Sequence, residues 1–253
     1  MLSAFVYIGL AHRVSRDGGK VDTLGFRNAD LWVAVGFVTY FVLIISGSFN
    51  APQHDVSEAQ IVRGAGLYIM IVAGLAVFLQ LRGINPWRQL GVTRLNPLLC
   101  LVIAAGLMFC AHPLILLTED FTIQAMHGKA QPQNIIEFFL DASQRSDRKA
   151  MWLMFALAAV IAPVAEETLF RGYLYGVLKR YMGGIGAALL TAGLFAAMHL
   201  NLAALPALFV LALCLTLAYE ATGSLLVNIF MHGLFNLSSL VLIMLTSGHN
   251  PPS

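Results

Sequence analysis

The sequence predicts an all-α fold, a polytopic transmembrane helical bundle, on three observations. Of its 253 residues 58% are hydrophobic and only 11% are charged, and its mean hydropathy of +0.78 lies far outside the range of soluble domains. The apolar residues gather into runs close to the length of about 20 residues that a membrane-crossing helix needs. The charged residues fall largely between those runs. A chain that crosses lipid must satisfy its own backbone hydrogen bonds, and helices do so within one segment.

The runs lie at residues 31–48, 64–81, 97–117, 150–180, 185–200, 202–219 and 224–246, about seven spans by the length a bilayer requires. A glycine turn at 183–186 reverses the chain between the fourth and fifth. The first residues, MLSAFVYIGLAH, have no basic stretch before them and no small-residue cleavage site after them, so a short interfacial helix is expected rather than a signal peptide. Residues 134–145, NIIEFFLDASQR, alternate apolar and polar positions at helical spacing and predict a second interfacial helix. Trp32 and Trp152 sit at span ends as belt anchors. Pro97 follows Asn96 at a helix start, and Pro113 is expected to kink the third span. No internal repeat is visible, so residues 1–253 are read as one integral membrane domain, with N-terminal spans in 1–118.

The charges, 15 Lys and Arg against 13 Asp and Glu, contain no basic run of the kind that binds nucleic acid. Their placement does orient the chain. Arg13, Arg16, Lys20 and Arg27 precede the first span, Arg82, Arg88 and Arg94 follow the second, and Arg171, Lys179 and Arg180 lie toward the end of the fourth. The other side holds Arg63 and a long loop with Lys129, Arg145, Arg148 and Lys149. Positive residues stay inside, so the expectation is a plasma (inner) membrane protein with a cytoplasmic N-terminus. Glu220 reads as a cytoplasmic turn residue, and His12, His54, His112, His127 and His249 as solvated or structural. Cys100, Cys110 and Cys214 lie in apolar runs without metal-binding spacing, so they read as packing residues.

Ionisable groups near mid-bilayer cost about 2.5 to 3.5 kcal/mol each on insertion scales and persist where they are paired or functional. Three groups stand out. Glu166 lies fourteen residues from Arg180, roughly 21 Å of helical rise. His199 lies fifteen residues beyond Gly184 on the returning helix and reaches nearly the same depth. His232 and Asn236 sit at i and i+4 on one face of the last span. Glu167 and Arg171 are also i, i+4, with the acid first, the favourable order for an ion pair. Glu166 points about 100° away on a 3.6-residue turn, free to face a cavity as a base. His232 and Asn236 supply donors aimed at one point, as an oxyanion requires, or serve as interhelical hydrogen-bonding glue.

These residues form three motifs: EExxxR as Glu166-Glu167-Thr168-Leu169-Phe170-Arg171, FxxxH as Phe195-Ala196-Ala197-Met198-His199, and HxxxN as His232-Gly233-Leu234-Phe235-Asn236. In this order they resemble the family of CAAX-processing type II prenyl proteases and bacteriocin-processing proteins, over about residues 150–240. The resemblance implies an intramembrane, metal-independent glutamate endopeptidase with no cofactor, acting on a membrane-associated or lipidated protein or peptide. It implies that Glu166 activates a water and that His199 holds it or passes a proton to the leaving amine. His232 and Asn236 would stabilise the oxyanion, with Glu167 and Arg171 supporting the site.

Two other readings use the same residues. Glu166, His199 and His232 would suit the three protein ligands of a catalytic zinc. A non-catalytic scaffold, immunity protein or proton-coupled transporter would use the cluster for binding or proton transfer, although transporters usually carry repeated halves, and none is visible here.

Overall fold

The computed structural model describes residues 2–48, 57–127 and 134–247. His54, Lys129 and His249 lie outside them. The described residues form helices and no strands: α1 (Leu2–Asp17), α2 (Asn28–Ser48), α3 (Glu58–Leu81), the short α4 (Pro86–Gln89), α5 (Pro97–Ala125) and α6 (Asn134–Gln144). They continue with a 35-residue helix, α7 (Arg148–Met182), then α8 (Gly184–Ala197), α9 (Leu205–Thr222) and α10 (Leu225–Ser247).

Six of these, α2, α3, α5, α7, α9 and α10, are long and apolar enough to cross a membrane. The expected fifth span, 185–200, differs. Its helix, α8, has 14 residues and rises about 21 Å, short of the ~30 Å hydrocarbon core. The apolar run continues past the helix end, but Leu200 takes a left-handed conformation (φ 53°) and the chain turns back into α9. This early stop leaves His199 at the inner end of the hairpin rather than on a continuing helix.

α7 and α9 form the centre, with 50% and 56% of their spanning windows buried, whereas α2 and α3 reach only 11% and lie at the rim. Their exposed side chains, such as Leu43 and Met70, are apolar, which suits a lipid surround. Trp32 and Trp152 are exposed near the starts of α2 and α7, the positions of interfacial anchors. α5 runs unbroken through Pro113 to Ala125, beyond the expected end at 117. The amphipathic α6 forms as expected and seats Phe139 edge-on to Phe155 of α7.

α1 departs from the sequence expectation. It packs against α5 and α9 instead of lying on the interface. Tyr7 is buried and donates its hydroxyl to the Leu107 carbonyl at 2.9 Å, ten residues along α5 from Pro97. A 16-residue helix rises about 24 Å, so its beginning points away from the basic loop that follows it.

Glu220 is also not a free turn residue. It is buried, accepts from the Tyr175 hydroxyl and from Lys179 Nζ, each at 2.5 Å, and its carbonyl accepts from the Lys20 amide at 2.8 Å. An unpaired carboxylate here would be expensive, and this set joins α7, α9 and the loop after α1. At the same end Asp30 pairs with Arg82, tying the start of α2 to the end of α3.

Candidate active site

α7 is not a uniform α-helix. It contains two π-helical stretches, Leu157–Ile161 and Thr168–Tyr175, on either side of the two adjacent glutamates. Such stretches open the ladder and frequently mark functional sites. The first has a visible cause. In the π pattern each amide bonds the carbonyl five residues back, as Ala162 does to Leu157, so the partner of Ala158 would be residue 163. That residue is a proline and has no N–H. α10 supplies the missing donor: Asn236 Nδ2 donates to the Ala158 carbonyl at 2.8 Å.

The close approach of α10 needs Gly233. A Cβ there would lie 2.5 Å from the Ala159 carbonyl oxygen, a backbone atom that cannot step aside. Gly233→Ala is therefore expected to lower stability by about 1 to 3 kcal/mol, the usual cost of overpacking. A denaturation series on the purified protein checks this.

Glu167 is fully buried, and both its oxygens are occupied. Oε1 accepts from Arg171 at 2.7 Å and from His232 Nδ1 at 2.9 Å; Oε2 accepts from Asn228 Nδ2 at 3.2 Å. The i, i+4 pair expected from the sequence forms. Arg171 also donates to the Ala212 carbonyl and stacks over the Phe195 ring, 4.4 Å from its centroid. Phe195 in turn lies against both His199 and His232, with ring centroids 4.9 and 5.6 Å away. The phenylalanine of FxxxH thus sets the spacing between the cation and the two imidazoles.

Glu166 turns the other way, into a cavity of about 770 Å³. Its Oε1 accepts from the Tyr68 hydroxyl at 2.7 Å, and its Oε2 lies 3.7 Å from His232 Nε2. His232 therefore stands between the neighbouring glutamates, with one ring nitrogen toward each. His199 lines the same cavity, and its Nδ1 meets the Phe195 carbonyl at 2.8 Å. A carbonyl only accepts, so Nδ1 carries the proton and a neutral ring leaves Nε2 as an acceptor.

The cavity is otherwise apolar and aromatic. Phe37, Tyr40 and Phe41 of α2, Leu67 of α3, and Phe170 and Phe195 line it, with the Phe41 ring stacked on that of Phe170. α2 packs against the end of α7 and against α8, α3 packs against the middle of α7, and α2 and α3 scarcely touch each other.

The expected constellation therefore divides. Glu166 and His199 meet at the cavity, His232 touches both glutamates from behind it, and Asn236 faces the Ala158 carbonyl. Neither His232 nor Asn236 is among the residues lining the cavity. Among the described residues, no three His, Cys, Asp or Glu side chains converge as a metal site would require.

Sequence reasoning missed two residues. Asn228 had a signal, since Asn228, His232 and Asn236 repeat at i+4 on one face of α10. Tyr68, one tyrosine in an apolar span far from the motifs, had none.

Residues 148–238 match the family described as type II CAAX prenyl endopeptidase Rce1-like. The chain carries an Rce1-like domain. No curated protein and no solved structure matches the chain. The Rce1-like domain holds Glu166, Glu167, Arg171, His199, His232 and Asn236, so the three motifs and the family match fall on the same helices. The family is one of membrane CAAX proteases. Tyr68 and the cavity wall formed by α2 and α3 lie outside the matched segment.

Proposed function

We propose that this protein is a metal-independent intramembrane endopeptidase that hydrolyses a peptide bond of a membrane-associated or lipidated protein or peptide. The observation that carries the reading is the separation of the two glutamates. Glu167 is neutralised in the interior by Arg171, while Glu166 presents its carboxylate to a cavity it shares with His199. A packing role would require only the first.

In this reading a water sits between Glu166 and His199 Nε2. Glu166 takes its proton as the water oxygen attacks the scissile carbonyl carbon. The π electrons of the carbonyl pass to its oxygen. When the tetrahedral species collapses, the C–N bond breaks and the proton held by Glu166 goes to the leaving amine, directly or through His199. His232 holds both glutamates in register, its Nδ1 on Glu167 and its Nε2 toward Glu166. Asn236 fixes α10 to α7 with one amide hydrogen and keeps the second, with His232, for the oxyanion. Glu167 and Arg171 keep the support rigid.

The apolar, aromatic cavity suits a lipid-soluble group or a membrane-embedded segment, admitted from the bilayer where α2 and α3 scarcely touch. The basic connections face the cytoplasm, in a plasma (inner) membrane.

Metal independence has its own test. Protein purified, treated with a strong chelator and reconstituted in liposomes is expected to cleave its substrate as fast as untreated protein. Activity lost to the chelator and restored by zinc would instead make Glu166, His199 and His232 metal ligands.

A further inference from the structure

Away from Glu166, a second cavity of about 320 Å³ opens at the end of the bundle where α9 stops and α10 begins. Its lining is unlike that of the first. Glycines apart, every side chain on it is polar, and three are cations: Lys20 from the loop after α1, and Arg88 and Arg94 from α4 and the turn that follows it.

A topology signal needs only that positive residues lie on one side of the membrane; it does not require them to converge. Here the fold brings them together. The turn after α4 is pinned to the last two helices, since the Leu90 carbonyl accepts from the Tyr219 hydroxyl and from the Leu225 amide, both at 3.2 Å. Gly91 and Gly223, each with a left-handed backbone (φ 66° and 67°), meet at this point. A Cβ on Gly91 would overlap the Gly223 carbonyl oxygen, and one on Gly223 would overlap the Arg94 guanidinium. Arg94 is held in the space so left, with Nη1 donating to the Lys20 carbonyl at 2.9 Å. An arginine has five N–H donors, so this bond leaves others for a ligand.

No carboxylate balances these charges. The ion pairs of the described residues involve none of Lys20, Arg88 and Arg94. Asp22, the one acid among the residues lining the cavity, accepts from the Leu24 amide at 2.9 Å. Glu220, whose carbonyl holds the Lys20 amide, gives its carboxylate to Lys179 and Tyr175. Like charges around one space repel one another, and an anion between them reverses the sign of that interaction.

We propose that this cavity is a binding site for a phosphate group, held by the Arg94 guanidinium with Arg88 and Lys20 around it. Guanidinium N–H groups in a fixed fork match phosphate oxygens, and the cavity lies at the lower end of the volumes that small ligands fill. Its depth favours an anionic lipid headgroup as the source, because basic pockets between membrane helices take such groups. Arg94 precedes the first residue of α5 by three positions, and Trp87, beside Arg88, is exposed as interfacial aromatics are. The site stands apart from the endopeptidase reading, since none of its residues lines the cavity at Glu166.

The test is thermal unfolding of the full-length protein in a non-ionic detergent. Inorganic phosphate is compared with chloride at equal ionic strength, and short-chain phosphatidylglycerol with short-chain phosphatidylcholine. Phosphatidylglycerol is expected to raise the melting temperature by about 2 to 4 °C over phosphatidylcholine, as a ligand of the folded state does. A rise with the lipid alone assigns the site to a headgroup at the membrane surface, and a rise with inorganic phosphate alone assigns it to a soluble phosphate. Lys20→Gln with Arg88→Gln changes two exposed side chains and should abolish the rise, each protein being read against its own control. Arg88→Glu by itself should abolish it too. Arg27→Gln with Arg63→Gln removes two exposed cations outside the cavity and should leave it intact. The proposal is overturned if neither phosphate compound raises the melting temperature or if the rise survives the changes at Lys20 and Arg88. It is equally overturned if the Arg27 and Arg63 changes abolish the rise, which would make it a response to net charge.

Discussion

Glu166→Gln is expected to reduce peptide cleavage by a factor of about 100 to 10,000, the usual contribution of a general base, while the protein inserts, purifies and melts as the wild type does. Glutamine keeps the size of the side chain and can still accept from the Tyr68 hydroxyl, which lies 2.7 Å from Glu166 Oε1. It has no carboxylate to take a proton from water. Glu166 also makes no close ion pair, since its nearest charged partner would be His232 at 3.7 Å. Folding therefore loses little. Turnover and thermal unfolding measured on the same preparation separate the two effects. Equal turnover by the two proteins would remove Glu166 from the chemistry.

Glu167→Gln is expected to do the reverse and strike stability first. Its two oxygens accept from Arg171, His232 and Asn228 in a site without water access. Glutamine presents one amide NH₂ where an acceptor is required and leaves the buried Arg171 guanidinium without a counter-charge. Breaking a buried pair from one side costs about 3 to 5 kcal/mol. The expected result is a sharp drop in the amount of folded protein recovered from membranes, with cleavage lost along with it. Removing both charges together, as Glu167→Met with Arg171→Met, should recover part of the lost stability, because no isolated charge remains. If the double variant is no more stable than Glu167→Gln, the pair is not what holds this region.

The parts of this architecture written in local spacing were legible in the sequence. The Glu167–Arg171 pair follows from i, i+4, and the divergence of Glu166 from Glu167 follows from one residue of helical rotation. Equal depth for Glu166 and His199 came from counting rise from a shared turn, and both line one cavity. The amphipathic α6 was visible in its alternating pattern.

What was not legible depends on neighbours in space. α1 is too short to cross lipid and ends in charges, so it looked interfacial; its place is set by the Tyr7 bond to a carbonyl inside α5. Glu220 looked like a turn residue because Tyr175 and Lys179, its partners, are more than forty positions away. The truncated α8 sits in an unbroken apolar run that gives no stop signal before His199. The bond of Asn236 to Ala158 required knowing both the π register before Pro163 and how closely Gly233 lets α10 approach. Pro163 itself was visible, but its consequence appears only once the partner helix is in place.

The central claim is that this bundle cleaves peptides within the membrane through Glu166. It is tested most directly by comparing, by mass spectrometry, the peptides in membranes that hold equal amounts of the wild type and of Glu166→Gln. The expected result is a set of paired cleavage fragments, both sides of the same bond, in the wild-type membranes and missing from the variant. Identical fragment sets from the two membranes would contradict the claim.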